Sequence, residues 1–312
     1  MRNTIIRKWT SDWNKLYEEE ARRLKDIFQE ELIQIYHIGS TAIPTIGYAK
    51  PIIDIVIGLS NIDKTVLYDE KMCQLGYEVR GENGITDRRY YTKGGHNRSH
   101  HVHIYRAGHE NINKHLQFKY YLMNHPEQAR KYGQLKIELA TKFPDDTSSY
   151  QQAKESFVTG LMEEAQEWSI IKKSYGYITR MTEAETQILV FQHPVKKAGI
   201  QIPKGTVKHR ELPVDAVKRE MEEETGLSNF PDIHYLIDDF WENDDGVIHH
   251  RYFYRLNIDE TQDEWNYEPT GGGAEDGKVF RFFWVTPDDG KLLIRGHADY
   301  FPLISLKKHN LG

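Results

Sequence analysis

The sequence predicts two successive domains, each mixing helix and sheet in α/β or α+β fashion, that meet near residue 173. Three observations carry this. At 312 residues the chain is long enough for two ordinary domains. The hydrophobic pattern changes after Lys172-Lys173, from an amphipathic helix over 150–171 to strand-like segments such as GYITRM and TQILVFQ. The charge changes at the same place: residues 1–172 carry 24 Lys and Arg against 23 Asp and Glu, whereas residues 173–312 carry 17 against 24. The two domains are therefore assigned to 1–172 and 173–312.

In chain order, the first domain opens with a helix over 11–29, then a strand over 33–38. A loop leads into PIIDIVIGL, a near-continuous apolar run of the kind found in a strand buried on both faces. Farther on, His101, Val102, His103, Ile104 and Tyr105 alternate, so His101, His103 and Tyr105 share one strand face. Helices follow over 114–142 and 150–171, the last with Phe157, Leu161, Ala165 and Trp168 at helical spacing. The second domain reads as strands around a central helix at 214–225, then strands over 247–258 and 278–285.

Composition narrows the function classes. A single cysteine, Cys73, excludes an internal disulfide and any thiolate cluster. The longest apolar stretches are strand-sized, and Met1 to Arg7 is too short and polar for a secretory signal, so a cytoplasmic protein without membrane spans is expected. The acidic second half is a poor partner for a long nucleic acid and a reasonable one for divalent cations. Plain solvation of surface helices explains the same acidity. Oligomeric state is not encoded in any of these features.

The most informative segment runs from Gly205 through Glu211 to Arg219-Glu220-Met221-Glu222-Glu223-Glu224-Thr225-Gly226-Leu227. Pro213 suits a helix start and Gly226 a left-handed helix end. At about 100° per residue, Val214, Val217 and Met221 form a narrow apolar stripe. Glu220, Glu223 and Glu224 then crowd one edge beside it, where a cation would offset their repulsion. Arg219 lies one turn before Glu223 and pairs with it. A solvated glutamate-rich helix would read as EMEEE too.

The wider pattern resembles the Nudix signature at every fixed position: Gly205, five residues, Glu211, seven residues, Arg219-Glu220, an aliphatic residue, any residue, Glu223-Glu224, any residue, Gly226, an aliphatic residue. At average residue usage such a match arises by chance in fewer than about one chain in a million. The resemblance implies an α/β/α sandwich with a mixed sheet and a magnesium-dependent pyrophosphohydrolase, manganese being an alternative. It implies that the Gly205 carbonyl and the Glu220, Glu223 and Glu224 carboxylates hold metal, while Glu211 and Arg219 hold the loop–helix–loop together. It nominates Glu275, in the loop 271–277, as an extra ligand or base, against the alternative of a plain hairpin. Lys204, beside the metal loop, is a candidate phosphate contact or a simple exposed lysine. Phe240, Trp241, Tyr252 and Tyr254 are candidates for stacking on a base, though aromatics in strands belong more often to a core.

In the first domain, Gly39-Ser40 ends a strand in a turn able to offer N–H groups to a phosphate. Asp54 stands alone within an apolar strand, where a carboxylate needs a partner or a metal. His101 and His103 suit either ligands or hydrogen-bonded strand histidines. HIGSTAIP, KPIIDI, the HVH strand and LQFKYYLMNHPEQARKYGQLK resemble the GrpB-like family, which implies a nucleotidyltransferase-like fold. Nucleotidyltransferases place a second acid two residues after the first, where this chain has Val56, so two-metal chemistry is put in doubt. The ligand site expected here comprises Gly39, Ser40, Lys50, Asp54, His101 and His103. The whole reads as a hydrolase of a nucleoside diphosphate derivative or related organic pyrophosphate, with a small nucleotide-type molecule as its partner. Nucleotidyl transfer by the first domain, or a non-catalytic nucleotide-binding or assembly module there, remain as alternatives.

Overall fold

A computed structural model describes residues 5–183, 185–260, 262–272 and 277–305, with Ser305 described by its backbone alone. The chain divides into two compact units, Met1–Ser169 and Ile170–Gly312. Among the described residues, no helix is long and apolar enough to cross a membrane.

The first unit runs β1 (Arg7–Lys8), α1 (Asp12–Phe28), β2 (Leu32–Ile38), β3 (Tyr48–Ala49), β4 (Ile53–Leu59), α2 (Asp69–Gln74), β5 (Tyr77–Val79), β6 (Arg89–Lys93), β7 (His100–Arg106), α3 (Glu110–Asn124), α4 (Pro126–Lys142) and α5 (Thr147–Glu167). Its main sheet has the order β2-β4-β7-β6-β5, with β4 and β7 parallel and the other pairs antiparallel. Strand alternation then sorts side chains by face. Ile53, Ile55, Ile57, Val102 and Ile104 join Leu24 and Phe28 of α1 and Met72 of α2 in one core. On the opposite face, Asp54 stands in register with His101, and Val56 with His103. A second core, with Ile43, Ile46, Leu122, Tyr132 and Leu161, binds α3, α4 and α5 to the loop after β2. Pro126 separates α3 from α4, since its ring cannot continue the helix before it.

The last helix ends earlier than its periodicity suggests. Trp168 already has extended backbone, and Ile171, Lys172 and Lys173 pair along a strand of the second unit. That unit runs β8 (Ile171–Met181), β9 (Thr186–Gln192), β10 (Ile200–Gln201), β11 (Lys204–Thr206), α6 (Pro213–Thr225), β12 (Asp232–Glu242), β13 (Ile248–Asn257), β14 (Glu264–Tyr267), β15 (Phe280–Val285) and α7 (Pro302–Ser305). The sheet order is β12-β13-β8-β9-β15-β14, with β10 on β9 and β11 on β8. Among the described strand pairs only β13 and β8 run parallel, so the sheet is mixed. Helix α6 covers one face, its Val217 and Met221 fully buried. Phe301 and Tyr300, just before α7, meet Tyr177 and Phe253 on the other face at ring distances of 5.1 and 4.7 Å. β12 escapes the sequence pattern because a bulge between Tyr235 and Ile237 shifts its alternation.

The four candidate stacking aromatics are engaged within this unit. Phe240 and Tyr254 are buried. Tyr252 shares a 3.0 Å hydrogen bond with His250 Nδ1, and Trp241 lies 4.8 Å beneath the Arg251 guanidinium.

Candidate functional site

The acidic helix is positioned by its own sequence. Pro213 opens α6, and Gly226 closes it at φ +74°, donating its N–H to the Glu222 carbonyl at 3.0 Å. Gly176 lets the helix settle on β8, because a Cβ there would stand 2.2 Å from Met221 Sδ. With that face fixed, Glu220 and Glu224 are set against β11 and Glu223 against the loop at Gly271. Glu224 accepts the Lys204 backbone N–H at 2.9 Å. Glu220 fills the space that a side chain at Gly205 would occupy, a Cβ there falling 1.7 Å from the Glu220 carboxyl carbon. Glu223 lies against Gly271, whose Cβ would come 2.9 Å from its Oε2.

Arg219 ties these groups together. It donates to both Glu211 oxygens at 2.8 and 2.9 Å, to Glu220 at 2.7 Å, to Glu223 at 3.0 Å and to the Thr206 carbonyl at 3.2 Å. Its guanidinium holds the Glu211 carboxyl down at about 2, the hydrogen bond being the largest cause. The donor set is hard oxygen throughout, with Gly205 free of side-chain bulk beside Glu220, and this suits a magnesium-like ion. Lys204 Nζ donates to Gln201 Oε1 at 2.8 Å. Glu275 lies outside the described residues.

In the first unit four of the expected residues, Ser40, Lys50, Asp54 and His101, line a cleft of about 900 Å³. Gly39, at φ +69°, allows the turn to pass Asp54, since a Cβ there would meet Asp54 Oδ2 at 2.5 Å. Asp54 accepts a 2.8 Å hydrogen bond from His101 Nδ1. Burial alone would raise the Asp54 carboxyl, but that bond and the fields of His101, His103 and His115 hold it below the ordinary carboxylate value. Burial pushes His103 down to about 3, helped by His115, whose ring centre is 5.6 Å away on α3. Ligand atoms of Asp54, His101 and His103 all lie within 4.8 Å of one another. Asp54 and His101 line the cleft, as do Ser40 and Lys50. His103 stands one step along β7, with Arg88 Nη1 3.4 Å from its Nδ1.

Several residues of this cleft were missed by reading the sequence. Arg7, Arg98, Lys136, Lys154 and Tyr150 line it as well. Lys136, 3% exposed, donates to Ser40 Oγ and sits 4.0 Å from the Tyr132 ring centre. Burial, then the neighbouring charge of Lys154, lowers its ammonium well below the usual lysine range. A signal for it existed: Ala129, Tyr132, Gly133, Lys136 and Leu139 form one buried helical stripe interrupted by a lysine. Gly133 lets α4 approach closely enough, since a Cβ would fall 2.0 Å from the Ile46 carbonyl oxygen.

Comparison with known proteins agrees with both halves. The GrpB protein family matches residues 3–164, and a NUDIX domain matches residues 175–306. The chain belongs to the GrpB family, and its second unit carries a NUDIX domain. UPF0157 protein YqkA of Bacillus subtilis is 43% identical over 167 residues, covering 54% of this chain and 48% of that protein. The chain thus spans about half the length of this relative. Glutamate-rich protein GrpB of Alkalihalophilus pseudofirmus is 31% identical over 170 residues, covering 51% of this chain and 94% of that protein. The crystal structure of conserved protein GrpB from Enterococcus faecalis aligns with a TM-score of 0.50 at 39% identity, over 52% of this chain and 98% of that one.

Proposed function

We propose that the second domain, residues 173–312, hydrolyses a diphosphate linkage in a nucleoside diphosphate derivative or a related organic pyrophosphate. Magnesium serves it, with manganese as a substitute, in a cytoplasmic setting where the exposed Cys73 stays reduced. The observation that carries this reading is the placement of Glu220, Glu223 and Glu224 on one edge of α6, with Glu220 and Glu224 against β11 and Glu220 and Glu223 held by Arg219. The Gly205 carbonyl and the three carboxylates would hold the metal. Such an ion supplies charge neutralisation at the diphosphate and a more acidic water.

The chain's own residues do the positioning. Arg219 and Glu211 clamp the loop onto the helix, which fixes where Glu220 and Glu223 point. Lys204 stands beside the carboxylates, its backbone N–H on Glu224 and its ammonium within reach of a phosphate. A panel of nucleoside diphosphate derivatives assayed with magnesium, manganese or EDTA tests the reading. Turnover should vanish in EDTA and return with either ion. Glu223→Gln and Glu224→Gln should each lower kcat by about 100-fold or more while the chain stays folded. Undiminished turnover in the purified double variant would refute the assignment.

For the first domain, residues 1–172, the cationic lining of the cleft favours binding of a nucleotide or phosphate ligand around Asp54, Ser40 and Lys50. Nucleotidyl transfer and a purely structural module are the competing outcomes, separated by whether a nucleotide panel binds and whether any product forms.

A further inference from the structure

The cleft of the first unit has an unusual charge balance. Its lining includes Arg7, Lys50, Arg98, Lys136 and Lys154 against one carboxylate, Asp54. Lys136 is almost wholly buried there, held by Ser40 Oγ and by the Tyr48 carbonyl at 3.4 Å. Such a surface suits a multiply charged anion, and about 900 Å³ accommodates one of nucleotide size. At one wall of the same cleft, the parallel register of β4 and β7 sets Asp54 beside His101, with His103 two residues on along the same face.

The two features belong together. A carboxylate and two imidazoles, with ligand atoms within 4.8 Å of one another, come close to the span of a metal site. A cation with bonds near 2.1 Å separates opposed ligand atoms by at most about 4.2 Å, so a slight closing of the three completes it. Mixed oxygen and imidazole donors suit zinc, iron(II) or cobalt rather than magnesium, which favours oxygen alone. Yet a divalent cation beside a cation-rich lining that includes Arg7 and Arg98 is repelled unless an anion enters with it.

We propose that Asp54, His101 and His103 hold a borderline divalent cation, and that Lys50, Lys136 and Lys154 hold a phosphorylated anion that also touches this cation, so that each ligand tightens the other. The cation replaces two existing contacts, the Asp54–His101 hydrogen bond and the long approach of Arg88 to His103. The anion completes the cation's shell from the open side of the cleft. This deepens the phosphate-ligand reading of the first domain and does not depend on hydrolysis by the second.

The test uses the full chain carrying Glu220→Gln, Glu223→Gln and Glu224→Gln, which removes all three carboxylates proposed for the other metal site. Cobalt(II) is titrated with and without inorganic phosphate, followed by calorimetry and visible absorption. One equivalent should bind, with affinity raised at least about fivefold by phosphate. Adding His101→Asn or His103→Gln should weaken cobalt binding at least about tenfold. Lys136→Met should leave cobalt binding in place and remove the phosphate effect; Lys154→Met repeats this at a position away from the buried stripe of α4. Circular dichroism confirms folding of each variant. Cobalt affinity unchanged in both histidine variants overturns the proposal, as does phosphate without effect on the folded parent chain. Failure of the magnesium-dependent hydrolysis assay would leave these titrations unaltered, so the two readings fail separately.

Discussion

Arg219 makes five hydrogen bonds, three of them to carboxylates other than Glu223, and all from one planar group. A lysine carries the same charge but cannot grip both Glu211 oxygens while reaching Glu220 and Glu223. Arg219→Lys should therefore lower kcat by roughly tenfold or more and cost about 1–3 kcal/mol of stability, read by steady-state assay and urea unfolding. A variant as stable and active as the parent would mean that the clamp is ornamental. The pH dependence follows from the same pair. Glu211 is held at about 2 in the fold, below its ordinary 4.5, so its contribution is complete above about pH 4.5 and is lost as pH falls toward 2. The stability gap between the parent and Glu211→Gln should accordingly narrow across that window.

At the scale of elements, α6 was open to reading because everything it needs is local: a proline start, a glycine end, an apolar stripe and carboxylates at helical spacing. Asp54 was legible for a similar reason, as an acid inside an apolar strand. Lys136 was not, because its partner Ser40 lies 96 residues earlier and only the packing of α4 against the loop after β2 brings them together. The loop–helix fit at Gly205 was legible as a motif position but not as a steric fact. Gly205→Ala would drive a methyl into the Glu220 carboxyl, so one of the two must move. The expected result is a loss of about 1–3 kcal/mol and of most turnover, with the metal requirement shifted to higher magnesium concentration. Normal magnesium dependence in Gly205→Ala would show that Glu220 is not held where the hydrolysis needs it.

At the scale of the whole molecule, the two units carry separate hydrophobic cores and chemically opposite sites, one acidic and one lined by cations. Each unit, at Met1–Ser169 and Ile170–Gly312, is of a size that can bury a stable core by itself. Two glycines probe that independence from opposite directions. Gly160, within α5, has nothing within 4 Å of an added Cβ, so Gly160→Ala gains helix propensity without a clash and should stabilise by about 0.5–1 kcal/mol. Gly176→Ala instead forces a methyl to 2.2 Å from Met221 Sδ, wedging α6 off β8 at a cost of about 1–3 kcal/mol. For units of this size, each kcal/mol moves a melting midpoint by about 2–4 °C. Scanning calorimetry of the full chain should thus resolve two transitions, with Gly160→Ala raising one and Gly176→Ala lowering the other. If both substitutions displace a single shared transition, the units unfold as one cooperative block and their separation is only architectural.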